Sequence, residues 1–196
     1  MSITDAGMSL PPRKRPMAAN GALGMAIFVF TEIMLFSGFI SAFAIVRGSA
    51  LPGMWPPLGQ PRLPLERTAL NTAALLASGV VLAIGGRRFR KSGAAAASRW
   101  IDAALVLGML FVAAQGAEWV GLLKQGLTIT SSQLGSFFYV IVGAHALHAV
   151  AAILCLGWSA VLLRRGALTS SRLGAVEVFW YFVVLMWPIL YAVVYR

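Results

Sequence analysis

Five long apolar runs, near 22–46, 68–86, 101–123, 134–162 and 174–195, constrain this chain more than any other feature. Crossing a bilayer core of about 30 Å takes roughly 20 helical residues, and each run reaches or approaches that length. None alternates with the period of two that a barrel strand requires. A helix also satisfies its own backbone hydrogen bonds, which lipid cannot do. The sequence therefore predicts an all-α polytopic membrane protein, a bundle of five transmembrane helices within 22–196. The fourth run is long enough to tilt or protrude. Composition agrees: 59% of residues are hydrophobic and 11% charged, against about a quarter charged in a soluble domain.

The segment 1–21 reads as a flexible cytoplasmic tail, with Pro11, Pro12 and Pro16 around Arg13, Lys14 and Arg15. A secretory signal needs a short apolar region and a small-residue cleavage site. The apolar run here is about as long as a full span, so it is read as an uncleaved first helix.

The net charge of +10 does not point to nucleic acid, because the basic residues lie in the connections between apolar runs and not on one water-exposed face. Their distribution sets topology. One side receives Arg13, Lys14, Arg15, Arg87, Arg88, Arg90, Lys91, Arg99, Arg164, Arg165 and Arg172. The other receives only Arg47, Arg62, Arg67, Lys124 and Arg196. An excess of Lys and Arg marks the cytoplasmic side, so the N-terminus is expected in the cytoplasm and the C-terminus outside. The single cysteine, Cys155, lies in an apolar run. It excludes an intrachain disulfide and a multi-thiolate metal site.

The connection 48–67 carries Pro52, Pro56, Pro57, Pro61 and Pro64. Each fixes φ and removes a donor, so a stiff non-helical loop is expected. A docking surface and a simple spacer both fit it. The connection Gly93–Ser98 is expected to be small and mobile.

An ionisable group inside a bilayer is costly and therefore a candidate site. Glu32 lies near the middle of the first run among Phe28, Val29, Leu35 and Phe36, surroundings that favour the neutral acid. Two roles fit: a proton-exchanging or lipid- and partner-facing acid, and a protonated acid hydrogen-bonded to a neighbouring helix. His145 and His148 are three apart and share a face. They suit a hydrogen-bonding role with a carboxylate on another helix, Glu118 being one candidate. They do not suit haem, whose axial ligands cannot come from adjacent turns of one straight helix. Asp102 and Glu177, near the starts of the third and fifth runs, favour helix N-termini. Asn71 and Ser78, with Ala73, Ala77 and Gly79, read as close-packing positions. Trp180 and Trp187, seven apart, are expected to pack against another helix. Other aromatic residues near the span ends fit an interfacial belt.

Several strings together resemble the haem–copper oxidase subunit III family in its five-helix form, that is, cytochrome c oxidase subunit III. They are Gly24–Phe39 with its embedded Glu32, Trp55-Pro56-Pro57 with Pro64-Leu65-Glu66, and Leu70-Asn71-Thr72 with Leu75–Gly79. Three more follow in order: Gln115-Gly-Ala-Glu118-Trp119, Gly143-Ala-His145-Ala-Leu-His148, and Trp180, Phe182, Trp187 and Tyr191 in the last run. The likeness spans nearly all of 22–195; longer members have two further helices at the start. One departure is clear. Where the family commonly shows a His and an Asp in the last helix, this chain has Tyr181 and Val184, and the acid usual early in that helix is displaced to Glu177.

The resemblance implies a non-catalytic subunit of a proton-pumping terminal oxidase of aerobic respiration. Such a chain holds no haem and no copper, which belong to partner subunits. It packs beside subunit I, in a complex with subunit II and small subunits, stabilises it and supports proton uptake. It also holds phospholipid that shapes oxygen access. Glu32, Glu118, His145 and His148 fall at the family's intramembrane polar positions. Cytochrome c or quinol would donate electrons to the complex and not to this chain. The expected location is the bacterial cytoplasmic (inner) membrane. The subunit III of a quinol oxidase, or a nitric-oxide-reductase accessory protein, is an alternative. A free-standing proton-coupled transporter is a remote one, since it would call for titratable relays and repeats that are not seen.

Overall fold

The computed structural model of the protein describes residues 20–51, 55, 57, 61 and 63–195. Residues 1–19, which make up most of the expected tail, and Pro56 lie outside the described residues. The chain forms α1 (Asn20–Gly48), α2 (Leu65–Ser92), α3 (Ala94–Lys124), α4 (Gln133–Arg164) and α5 (Ser170–Val194). There is no strand among the described residues. All five helices are long and apolar enough to cross a membrane.

The helices run past the apolar stretches. α2 continues through Arg87, Arg88, Arg90 and Lys91 to Ser92, and α3 begins at Ala94. Long basic side chains can reach water from the end of a helix, so they do not force it to stop. Only Gly93 separates the two, at φ 83°, a left-handed conformation that a Cβ disfavours. Residues 94–98, expected as a mobile loop, instead form the first turn of α3. Four successive alanines make that turn favourable.

α5 touches α1, α2 and α4, and α3 lies between α2 and α4. Helices α2–α5 thus close a ring, with the core between them: Leu82, Ile101, Phe138, Leu156 and Trp187 are all buried. α1 meets α4 and α5 but neither α2 nor α3. Of its large residues only Phe36 and Phe43 are buried, seven apart on one face, whereas Ile27, Phe30, Met34 and Ile45 are exposed. A helix that is apolar all round, and this little covered by its own chain, is fitted to lipid or to another apolar helix. Trp55, near the middle of the 49–64 connection, packs edge-on against Phe43 at 5.7 Å, and Phe43 in turn meets Phe137 of α4 at 5.7 Å.

Side-chain caps open α4 and α5. Ser132 Oγ accepts from Gly135 N and Thr169 Oγ1 from Arg172 N, which satisfies donors that a helix start leaves unpaired. At Gly135 an added Cβ would run into the Thr128 carbonyl oxygen and lie 2.9 Å from Ser131 Oγ. The obstacle is backbone, which cannot swing aside. Gly135→Ala is expected to cost about 1–3 kcal/mol, read as a lower unfolding temperature of the purified protein in detergent. An unchanged midpoint would show that the 125–132 turn is not held against α4.

Candidate functional site

Glu32 of α1 and His148 of α4 lie near the midpoints of their helices and meet there. Glu32 Oε2 stands 3.0 Å from His148 Nε2, and His148 Nδ1 is 2.7 Å from the Ala144 carbonyl. A carbonyl oxygen only accepts, so Nδ1 carries a proton and donates it, which fixes the ring's orientation. Nε2 and Oε2 then share one further proton. Either the carboxylic acid donates to a neutral ring, or the imidazolium donates to a carboxylate. Both side chains are mostly covered, at 16% and 14% exposure. Three phenylalanines enclose the histidine: Phe36 at 5.6 Å, Phe182 at 5.9 Å and Phe179 at 6.3 Å between ring centroids. The sequence placed Glu32 among apolar neighbours on its own helix. Its partner and the α5 phenylalanines come from elsewhere in the fold.

His145, one turn earlier on α4, is fully buried and packs its ring against Trp187 at 5.2 Å. Neither of its ring nitrogens has a hydrogen-bond partner. It borders a cavity of about 180 Å³ together with Phe111, Gln115, Trp119, Val142 and Trp187. The hydrogen bond from a histidine to Glu118 does not form. His148 turns toward α1 and His145 toward α5, so the shared face splits between two neighbours.

Glu118 belongs to a second cluster. Its Oε2 accepts from Thr68 Oγ1 at 2.9 Å and from Gln115 Nε2 at 3.0 Å. Gln115 Nε2 also donates to the Tyr195 hydroxyl at 3.1 Å, and Asn71 Nδ2 donates to Gln115 Oε1 at 3.3 Å and to the Phe111 carbonyl at 3.1 Å. Farther along α2, Trp187 Nε1 donates to Thr72 Oγ1 at 2.9 Å and Trp180 Nε1 to Ser78 Oγ at 3.3 Å. Trp180 and Trp187 do pack against another helix, as expected, and each also places its indole N–H on an α2 hydroxyl. Sequence reasoning missed Thr68, Thr72 and Tyr195. A signal existed: Thr68, Asn71, Thr72 and Ser78 recur at helical spacing and form one polar stripe on α2. Trp187→Phe keeps most of the packing and removes one donor. It is expected to cost about 1 kcal/mol, measurable by thermal unfolding in detergent.

At the basic end, Glu177 pairs with Arg90 of α2 at 2.8 Å and Asp102 with Arg164 of α4 at 2.7 Å. Both acids sit within their helices and not at the first turn, so the expectation that they serve helix N-termini is replaced by interhelical pairing. The Asp102 pair is largely exposed and contributes little. Glu177 is buried, and its Oε1 has no hydrogen-bond partner. Val184 is buried with its side chain against Gly79 of α2, and Tyr181 is half-buried. An apolar helix contact thus occupies the 184 position. Among the described residues, no three of His, Cys, Asp and Glu converge as a metal site would require.

The family model for cytochrome c oxidase subunit III matches residues 14–196. This chain belongs to that family. A probable cytochrome c oxidase subunit 3 of Nocardia farcinica is 31% identical over 178 residues, covering 89% of this chain and 86% of that protein. The cytochrome c oxidase subunit 3 of Synechocystis is 32% identical over 88% of this chain and 73% of its own length. That of Lycodon semicarinatus is also 32% identical, over 90% of this chain and 69% of its own. Family membership and five apolar helices of spanning length make this a multi-pass membrane protein and part of an oxidase complex. The Glu32–His148 pair and the Glu118 cluster are thus polar contacts inside a subunit III bundle.

Proposed function

We propose that this chain is the non-catalytic subunit III of a proton-pumping haem–copper oxidase in a bacterial cytoplasmic membrane, with the basic end of the bundle in the cytoplasm. It stabilises subunit I, supports sustained proton uptake and keeps lipid in place along the route that oxygen takes. The observation that carries this reading is the match of the family model to residues 14–196. The bundle supports it physically. α1 leaves an apolar face uncovered by its own chain, suited to a neighbouring membrane subunit, and the titratable pair at mid-depth lies on that same helix. Haem and copper reside in the partner subunits, and the bundle contributes packing surface and positioned polar groups.

The test is co-purification of the tagged chain in mild detergent, followed by a reduced-minus-oxidised optical spectrum. Haem a bands with two larger subunits are the expected result. Haem b or o bands alone would point to the quinol-oxidase or nitric-oxide-reductase relatives, and a colourless solitary protein would overturn the reading. Glu32→Ala should leave the complex assembled but shorten its activity over many turnovers or reduce its lipid content. Unchanged durability with normal lipid would remove Glu32 from the proposed role.

A further inference from the structure

The cavity of about 180 Å³ that His145 borders lies between α3, α4 and α5. Much of its wall is apolar, including Phe111, Val142, Ala149 and Trp187. We propose that it binds a small cluster of water, held by His145, Trp119 and Gln115. That water continues a line of hydrogen bonds leading toward the end of the bundle opposite the basic cluster.

Hydrogen-bond capacity decides the ligand. A wholly apolar cavity of this size stays dry and takes an apolar guest. This one is bordered by three polar side chains with capacity left over. His145 is 1% exposed, and neither of its ring nitrogens has a partner among the described residues; the buried Trp119 Nε1 has none either. A neutral imidazole offers one donor and one acceptor, and an indole one donor. Gln115 donates from Nε2 to both Glu118 and Tyr195, while its Oε1 accepts only from Asn71 and keeps a second lone pair. The site therefore presents two donors and two acceptors. An anion or a carbonyl compound would leave the acceptors unmet, a cation would leave the donors unmet, and an apolar guest would leave all four unmet, which is costly for buried atoms. Water donates and accepts. Each molecule takes about 30 Å³ in the liquid, so the cavity has room for several.

Position gives the water a connection. Gln115 bonds Glu118, and Glu118 borders, with Arg67 and Asn71, an open groove of about 790 Å³ between α2 and α3. Hydrogen bonds thus run from that groove through Glu118 and Gln115 to the cavity water and on to His145. The ring proton of His145 is expected to exchange by this route. His148 does not border the cavity and turns to Glu32, with Phe36 packed against both histidine rings. The water therefore serves His145 and not the Glu32–His148 pair. The proposal is independent of the oxidase role.

The test is X-ray footprinting of the tagged full chain, purified in mild detergent with the subunits it carries. Brief irradiation converts bound water to hydroxyl radicals, which oxidise the nearest side chains and are read by mass spectrometry. Trp187 is 1% exposed and borders the cavity, whereas Trp180 is 2% exposed and does not. In the unaltered chain Trp187 is expected to oxidise about tenfold faster than Trp180. Ala149→Leu, which fills the cavity, and His145→Phe, which removes two of its polar atoms, should each bring Trp187 down toward the rate of Trp180. The comparison within the unaltered chain keeps the test decisive if a variant fails to accumulate. Equal rates for the two tryptophans in the unaltered chain, or a Trp187 rate that neither variant lowers, would overturn the proposal. So would xenon bound in the cavity under pressure with Trp187 unlabelled, the mark of a dry apolar pocket.

Discussion

Gly108→Ala is expected to lower the stability of the purified protein by about 2–3 kcal/mol, toward the top of the range for overpacking a core. A Cβ at Gly108 on α3 would run into Trp180 Cη2 and lie 2.8 Å from Cζ2. Trp180 is buried, and its Nε1 is tied to Ser78 on α2, so the indole cannot move without giving up that bond. The atoms in conflict belong to the six-membered ring that phenylalanine would not place there. Trp180→Phe alone should cost roughly 1 kcal/mol or more for the lost donor and contacts. The double variant should fall short of the summed losses by about 1–2 kcal/mol, because relief of the clash couples the two positions. Thermal or denaturant unfolding in detergent reads all three variants. Strict additivity would mean that α3 and α5 do not meet through this pair.

The second large effect is expected at Glu32 and His148. Removing either partner leaves the other a polar group within or against the Phe36, Phe179 and Phe182 enclosure, where water is mostly excluded. Glu32→Leu and His148→Leu should each cost about 1–3 kcal/mol, the usual penalty for a buried group left unsatisfied. The double leucine variant should cost less than the two together, because apolar side chains can fill the site without an orphaned atom. A comparison of stability with activity then separates structure from function. If the pair only holds α1 to α4, the double variant recovers both stability and durable turnover. If its shared proton serves the complex, stability returns and durability does not. Equal, independent losses in the single variants would show that the two residues are not coupled.

The physics of the bilayer made the helices legible. Nothing but a helix or a closed barrel can satisfy the backbone in lipid, and five apolar runs without strand alternation left one choice. Helix ends were less legible, because hydropathy marks where lipid begins and not where hydrogen bonding stops. α2 and α3 therefore run on to Ser92 and back to Ala94. Glu32, Glu118, His145 and His148 stood out as costly intramembrane groups, but their partners did not. His148 and Glu32 are separated by 116 positions in the chain, and Thr68 and Glu118 by 50. No local pattern encodes contacts at that range. The two histidines share one helix face by spacing, yet only the placement of α1 and α5 decides that His148 finds an acid and His145 finds Trp187.

By itself, then, the sequence determined that this protein is an all-α membrane bundle, which residues in it are costly to bury, and through its ordered strings which family it resembles. Those properties follow from single-residue solvation and from helical spacing, which are local. The tertiary structure alone decided that α1 packs outside the ring on α4 and α5. It also decided that Asp102 and Glu177 pair across helices, and that Arg67 and Glu118 face one groove without meeting each other. Those properties depend on which helix faces touch. In lipid that choice is made by close packing and by satisfying each polar group, a condition on the whole bundle that no single segment can meet.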